Sequence, residues 1–309
     1  MPTVSVIVPC YNAAQFLAST LASVECQSFT NWECILIDDC STDNTADVLR
    51  EFARKDSRFI PIFLDKNGGA SAARNAGFAA ARGIYITLLD ADDAYVPDRL
   101  ARLVELIGST GADVVFDNQI IADFPETSQV DKAFHWLTQD SRTFTADDFF
   151  GESARFGRSI NPGYMKPMFR AEFVFKHRLR YDLSFRSGQD YLLYADAFAR
   201  EPLCYATAYC GYIYRRRSGS LSRSGGLHLR NHARLSTEIL ARYSNRLSKT
   251  SIAALQRRRA YFQRGAELHD LRVLIADRRL VKAAVSLVRH PGAIVAGVAA
   301  LRRAALMRN

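Results

Sequence analysis

The chain has 309 residues, 48% of them hydrophobic, which allows one large domain or two. Its six cysteines lack CxxC or zinc-type spacing, and it opens without a signal-peptide pattern, so we expect a reduced, cytoplasmic protein rather than a disulfide scaffold. Residues 1–214 carry 20 Lys and Arg against 28 Asp and Glu, whereas residues 215–309 carry 21 against 4. This basic C-terminal part predicts an anionic partner, either nucleic acid or a membrane surface.

Short apolar runs alternate with segments of helical periodicity over the first 120 residues. The apolar runs predict strands at residues 4–8, 34–37, 59–64, 85–89 and 113–116. The segments between them predict helices at residues 14–26, 42–54, 70–82 and 97–107, the second with Ser41 or Thr42 as its N-cap. This order predicts an α/β fold, Rossmann-like, with a mostly parallel sheet and helices on both faces.

The alternation ends near residue 118. We expect an irregular segment at 118–168, helices at 171–178 and 190–200, a strand at 204–215 and a loop at 218–226. From residue 226 onward the sequence predicts basic helices. The expected divisions are therefore residues 1–120, residues 121–225 and a basic helical C-terminal extension at residues 226–309.

Acidic residues and glycines follow three of the predicted strands, where ligands bind in parallel sheets. They are Asp38 and Asp39, Gly68 and Gly69, and Asp90, Asp92 and Asp93. An extended backbone would point Asp90 and Asp92 the same way, and such oxygen ligands suit Mg²⁺ or Mn²⁺ bridging to phosphate. The alternative is an Asp-rich turn that caps the next helix. Likewise, Asp39 either accepts hydrogen bonds from a base or ribose, or belongs to a helix N-cap cluster.

The glycines at positions 68 and 69 permit close backbone approach, and the helix start after them favours an anion. The segment is not a P-loop, because no Gly-Lys-Ser/Thr follows. Arg74 lies about one turn into this helix, either near the same site or on the surface.

Four motifs in order resemble the inverting GT-A glycosyltransferases of family 2, in particular bacterial exopolysaccharide enzymes of the succinoglycan type. They are residues 4–12 (VSVIVPCYN), 37–43 (IDDCSTD), 67–77 (NGGASAARNAG) and 89–93 (LDADD). One departure is Asp39-Cys40-Ser41, where the family more often has Asp-Gly-Ser. The resemblance implies that residues 1–120 bind the nucleotide sugar and that residues 121–225 bind the acceptor and carry the base.

The resemblance also implies site residues. It assigns uracil to Asp39, ribose to Asp90, and Mn²⁺ or Mg²⁺ with the diphosphate to Asp92. The nucleotide-sugar-binding set that it implies is Pro9, Tyr11, Asp39, Arg74 and Asp90. It places the catalytic base at Asp190, with Gln189 where the family has Glu; the alternative for Asp190 is a helix N-cap.

The expected activity is metal-dependent, inverting transfer of one sugar from a UDP-sugar, with UDP-glucose our first choice. The expected acceptor is a lipid-linked saccharide in bacterial surface polysaccharide synthesis. The processive members' Gln-x-x-Arg-Trp motif is missing from the sequence. The mixed basic and apolar residues 280–309 predict an interfacial helix on the inner face of the bacterial cell membrane, or else helices that pack on protein.

Two rival functions are weaker. A nucleotidyltransferase would also use paired Asp and a metal, but its glycine-rich loop after the first strand is missing from the sequence. A nucleic-acid-binding protein would explain the basic tail, but no recognised module accompanies it and its arginines lie among Leu, Ala and Val. We therefore expect no nucleic acid partner.

Overall fold

A computed structural model describes residues 1–123, 129–156, 161–216 and 225–276. The chain divides into two compact units, residues 1–218 and residues 219–309. The expected functional division at residue 120, inside the first unit, stays a prediction. Most of the predicted loop at 218–226 lies outside the described residues. The predicted interfacial helix at 280–309 lies entirely outside them.

The described strands are β1 Val4–Cys10, β2 Trp32–Asp38, β3 Phe59–Phe63, β4 Tyr85–Leu88, β5 Ala94–Tyr95, β6 Val114–Asp123, β7 Gln129–Lys132, β8 Arg142–Thr143, β9 Met168–Arg170 and β10 Cys204–Arg216. The described helices are α1 Ala14–Glu25, α2 Thr45–Lys55, α3 Ala70–Ala80, α4 Arg99–Thr110, α5 Ala146–Ser153, α6 Ala171–Lys176, α7 Gln189–Phe198, α8 Gly225–Tyr243 and α9 Lys249–Ala276, with a short 3₁₀ turn at Pro162–Tyr164.

One mixed sheet organises the first unit, in the strand order β3-β2-β1-β4-β9-β6-β10-β5. Strands β1 to β4 pair in parallel, and β10 pairs in parallel with β6. The predicted mostly parallel α/β sheet is therefore confirmed. In the register of β1 with β2, Cys10 lies opposite Asp38, so the carboxyl ends of these strands meet at one edge.

The sheet is covered on both faces, as predicted, because side chains alternate along each strand. Val6 and Leu36 belong to the core that includes residues of α1 and α4. Ile35 and Ile37 point the other way and pack with Ala73 of α3. Burial on both faces explains why β1 and β2 are apolar nearly throughout.

The expectation of an irregular segment at 118–168 was wrong, because β6 continues through Asp123 and β7, β8 and α5 follow. The polar triplet Asp117, Asn118 and Gln119 interrupts the apolar pattern, yet all three side chains are buried and hydrogen-bonded. A buried polar residue with partners fits inside a strand. Binary patterning could not find these partners.

Strand β9 is short and antiparallel to both neighbours, β4 and β6. Its register sets Arg170 opposite Tyr85 and Met168 opposite Thr87. The residues before β9 therefore lie beside the carboxyl end of β4, close to the acidic motif that follows that strand.

The second unit contains α8 and α9, which confirms helices up to residue 276. Leu235, Ile239 and Leu255 are fully buried in it. Arg258 is also fully buried and donates to the Ser236 hydroxyl at 2.7 Å and to the His232 carbonyl at 3.1 Å. Among the described helices, none is both long and apolar enough to cross a membrane.

Gly77 tests the packing of α3 on β1. An added Cβ would lie 2.3 Å from Ile7 Cγ2, so we expect Gly77→Ala to lower the free energy of unfolding by about 1–3 kcal/mol. Gly108 in α4 has no atom near an added Cβ, so Gly108→Ala should raise stability by roughly 0.5–1 kcal/mol. Urea unfolding of the two variants measures both values, and equal effects would contradict this packing.

Candidate active site

The acidic motif after β4 forms a turn, because the Asp93 N–H donates to the Asp90 carbonyl at 3.0 Å. The Thr20 hydroxyl of α1 lies 2.9 Å from the Ala91 carbonyl and 2.8 Å from that of Asp93. The expectation that an extended backbone aligns Asp90 with Asp92 was therefore wrong, since β4 ends at Leu88. The turn does not cap α4 either, because the N-cap position of α4 is Asp98.

Asp90 lies between two cations. Its Oδ1 accepts from Arg74 Nη2 at 2.8 Å, and its Oδ2 lies 2.7 Å from Lys166 Nζ. Burial opposes the ionised form, but Lys166 and Arg74 outweigh it and hold the pKa of Asp90 well below its usual range. Asp90 is therefore a fixed carboxylate. The structure confirms that Arg74 lies near the acidic motif and not on the surface.

Asp190 reaches the same two cations from the start of α7. Its Oδ2 lies 3.4 Å from Lys166 Nζ, and its Oδ1 lies 3.7 Å from Arg74 Nη1. Gly188, with a φ of 75°, occupies the N-cap position of α7, so the N-cap alternative for Asp190 was wrong. Two carboxylates from distant parts of the chain thus share one pair of buried cations.

Lys166 is the site residue that sequence analysis missed. It lies inside the segment that we expected to be irregular, immediately before β9, and its side chain is only 5% exposed. The available signal was a single lysine in the otherwise apolar run Met165 to Phe169. A charged residue in such a run is buried only when it is paired.

Asp93 joins the acidic turn to β10. Its carboxylate accepts from the Tyr212 hydroxyl at 2.6 Å and from the Arg215 N–H at 2.9 Å. Burial, and then the charges of Asp92 and Asp90, raise the pKa of Asp93 well above its usual range. Burial is the larger cause, and the neighbouring carboxylates add to it.

Asp39 holds the glycine turn before α3. Its two carboxylate oxygens accept from the N–H groups of Gly68 at 2.8 Å and Gly69 at 2.7 Å. The anion that we predicted at this helix start is thus the protein's own carboxylate. Each of its oxygens keeps a second lone pair for a further donor.

Helix α2 begins later than predicted, at Thr45, with Asn44 in the N-cap position. The Ser41 and Thr42 N-cap prediction was therefore wrong, and so was the N-cap alternative for Asp39. The physical reason is that Thr42 donates its N–H to the Asn12 side chain at 2.8 Å. This hydrogen bond connects Thr42 to the loop after β1, so no helix begins at Thr42.

Pro9 and Tyr11 lie at the carboxyl end of β1, beside Asp39. The Cys10 carbonyl between them accepts from the Asp39 N–H at 2.9 Å. Tyr11 is 52% exposed, which leaves its ring accessible to a ligand. The ring of Trp136 is not free in the same way, because it stacks on Phe144 with ring centroids 5.3 Å apart.

Asp92 is half-buried and lies in the middle of the acidic turn. Within the described ranges, no group of three or more His, Cys, Asp and Glu side chains is arranged to hold a metal ion. Mg²⁺ and Mn²⁺ nevertheless bind substrate phosphates through one or two protein carboxylates, so Asp92 fits such an ion.

Residues 5–171 match the sequence profile described as "Glycosyl transferase family 2". The succinoglycan biosynthesis protein ExoU of Rhizobium meliloti (strain 1021) is 31% identical over 95% of this chain and 85% of its own length. ExoO of the same organism, also a succinoglycan biosynthesis protein, is 36% identical over 72% of this chain, and the match spans 63% of its length. The chain belongs to glycosyltransferase family 2, which confirms the expected family and enzyme class.

Solved structures agree on the fold. The structure of S. aureus TarS 1-349 in complex with UDP has a TM-score of 0.62 and 20% identity, covering 85% of this chain and 71% of the TarS chain. The mannosyltransferase PcManGT from Pyrobaculum calidifontis, in complex with GDP-Man and Mn²⁺, has a TM-score of 0.57 and 18% identity, covering 97% of this chain and 80% of PcManGT. The predicted GT-A fold is confirmed.

Arg99 lies beneath this site and forms a buried ion pair with Asp117, with two contacts of 2.8 Å. We expect Arg99→Met to lower the free energy of unfolding by about 3–5 kcal/mol, because it leaves Asp117 buried without its cation. Arg102→Met is the matched control on the same helix, because Arg102 is 60% exposed, and it should change stability by less than about 0.5 kcal/mol. Denaturant unfolding compares the two variants, and a small effect of Arg99→Met would contradict the importance of this pair.

Proposed function

We propose that the chain is an inverting, metal-dependent, non-processive hexosyltransferase that moves one sugar from a UDP-sugar to a saccharide acceptor. The observation that carries this proposal is the meeting of Asp90 and Asp190 at Arg74 and Lys166. These contacts bring the proposed donor-binding carboxylate and the proposed base together, which supports the proposal.

Asp190 is the proposed general base. It takes the proton of the acceptor hydroxyl while that oxygen bonds to the anomeric carbon of the sugar. The bond from that carbon to the diphosphate breaks in the same step, and the nucleoside diphosphate leaves. One displacement inverts the anomeric centre, so an α-linked donor gives a β-linked product.

The nucleotide fits the edge formed by β1, β2 and α3. Asp39 is already fixed by two backbone N–H groups and accepts a further hydrogen bond from uracil. Pro9 and the exposed ring of Tyr11 border the same place, and Asp90 faces the ribose. The TarS complexes with UDP and UDP-GlcNAc support a UDP-sugar donor, for which UDP-glucose is our first choice.

Asp92 is the proposed metal ligand, and its carboxylate would hold Mn²⁺ or Mg²⁺ beside the donor diphosphate. When bound, Mn²⁺ or Mg²⁺ neutralises charge that develops on the leaving diphosphate. The Mn²⁺ in the PcManGT complex supports a divalent metal ion.

The proposed acceptor is a lipid-linked saccharide in the synthesis of a bacterial surface polysaccharide. The succinoglycan relatives ExoO and ExoU support a polysaccharide pathway. The charge asymmetry of the sequence supports peripheral binding to the inner face of the cell membrane, because anionic lipids attract Lys and Arg.

The donor is tested by incubating the purified chain and Mn²⁺ with a panel of nucleotide sugars and measuring release of nucleoside diphosphate. Water serves as the acceptor in this slow hydrolysis. We expect turnover of one UDP-sugar, with the rate reduced at least about 100-fold by chelation or by Asp92→Ala. Asp190→Asn should lower the rate by roughly 10²–10⁴-fold while leaving nucleotide binding intact.

Asp47→Ala is the control for these variants, because Asp47 is an exposed residue on α2 with 77% of its side chain accessible. It should retain the wild-type rate. If the wild-type chain neither binds nor turns over any nucleotide sugar, the proposed donor class is wrong. If Asp190→Asn keeps the wild-type rate, the base lies elsewhere.

Membrane recruitment is tested by flotation with liposomes. Residues 277–309 contain seven Lys and Arg, each contributing about 1 kcal/mol near an anionic surface. We expect the full chain to float with phosphatidylglycerol liposomes, but not with phosphatidylcholine liposomes or at high salt. A chain that ends at residue 276 should stay at the bottom of the gradient; equal flotation of both chains would contradict recruitment by this segment.

A further inference from the structure

The backbone around Lys166 is fixed by three buried side chains. Successive carbonyl oxygens accept hydrogen bonds, that of Met165 from Tyr194 at 2.6 Å, that of Lys166 from Arg99 at 2.6 Å, and that of Pro167 from Thr87 at 3.2 Å. These donors belong to α7, α4 and β4. The start of the Lys166 side chain is therefore held by the same elements that carry Asp190 and Asp90.

The far end of the side chain lies between those two carboxylates. Lys166 Nζ is 2.7 Å from Asp90 Oδ2 and 3.4 Å from Asp190 Oδ2, and it is almost fully shielded from solvent. Ordering a long side chain costs rotamer entropy, and burying its charge costs more. Asp90 has Arg74 as a further partner at 2.8 Å, whereas the two cations lie 3.4 and 3.7 Å from Asp190.

The need for this second cation arises at Asp190. With Lys166 removed, Asp90 and Asp190 would share the single guanidinium of Arg74, and their negative charges would repel each other. Arg74 is also the more distant partner of Asp190, at 3.7 Å. Lys166 therefore keeps the second carboxylate from moving away from the first.

We propose that Lys166 is a positioning residue, which sets the Asp190 carboxylate at a fixed place relative to Asp90 and so relative to the bound donor. This inference rests on the proposed role of Asp190 as the base. Lys166 touches neither sugar nor acceptor in this role.

The inference predicts a large effect on kcat and a small effect on KM. Asp90 keeps Arg74 when Lys166 is changed, so the donor KM should rise less than about threefold. A displaced base lowers kcat, and a misplacement of 1 Å reduces a rate by about 100-fold. We therefore expect Lys166→Met to lose roughly 100-fold in kcat of donor hydrolysis, whereas Lys166→Arg, which keeps the charge, should lose less than 10-fold.

Chemical rescue distinguishes a positioning lysine from a lysine that only stabilises the fold. In Lys166→Ala, ethylammonium at tens of millimolar should enter the vacated space and restore kcat at least 10-fold in a saturable manner, whereas neutral ethanol should restore nothing. Wild type and Lys176→Ala, which changes an exposed lysine of α6, should not respond to ethylammonium. Thermal unfolding and calorimetric donor binding show that each variant is folded.

Three results would overturn the inference. They are a kcat of Lys166→Met within threefold of wild type, a loss in folded Lys166→Ala that ethylammonium does not restore, and a loss that appears in KM alone. If Lys166→Met and Lys166→Ala cannot be purified folded, a loss of 100-fold or more in Lys166→Arg also overturns it. If Asp190→Asn is inactive while Lys166→Met is active, only this inference is refuted. If the wild type is inactive, the proposed function is refuted.

Discussion

The geometry of the catalytic unit depends on one buried guanidinium, that of Arg99. It forms the ion pair with Asp117 of β6 and donates to the Lys166 carbonyl at 2.6 Å. The rings of Tyr95 and Tyr212 lie over it, with centroids 4.3 and 5.3 Å away. This single group joins α4, β5, β6, β10 and the segment before β9. A desolvated charge is costly without its partners, so these elements cannot separate independently.

Two lines of contact lead from this group to the acidic turn. One passes through Lys166 to Asp90 and Asp190, and the other passes through Tyr212, whose hydroxyl donates to Asp93 and accepts from the Asp90 N–H. Both lines consist of buried contacts: hydrogen bonds, ion pairs and the cation–π contact of Arg99 with Tyr212. The carboxylates are therefore positioned before any substrate arrives, as efficient electrostatic catalysis requires.

The sequence predicted the parts of this arrangement that follow local rules. Apolar runs identified β1 to β4, and the resemblance to family 2 assigned Asp39, Arg74, Asp90 and Asp190 to one site. The sequence left open whether the acidic motif is extended or forms a turn, because the end of β4 is set by Thr20 and Tyr212, which are distant in sequence. The sequence likewise did not predict the full length of β6 or the burial of Lys166. Their polar side chains are explained only by partners that the fold brings together, and no periodicity encodes those partners.

Charge balance constrains how the donor binds. Arg74 and Lys166 are matched by Asp90 and Asp190, so this group of four has no net positive charge for a diphosphate. Burial strengthens these pairs and makes it costly to withdraw a cation from them. The charge of the diphosphate must then be met by groups outside the four. Asp92 adds negative charge to the same turn, so a divalent cation there reverses the local sign and makes phosphate binding favourable. The tight pairing of these cations therefore supports the proposed divalent metal at Asp92.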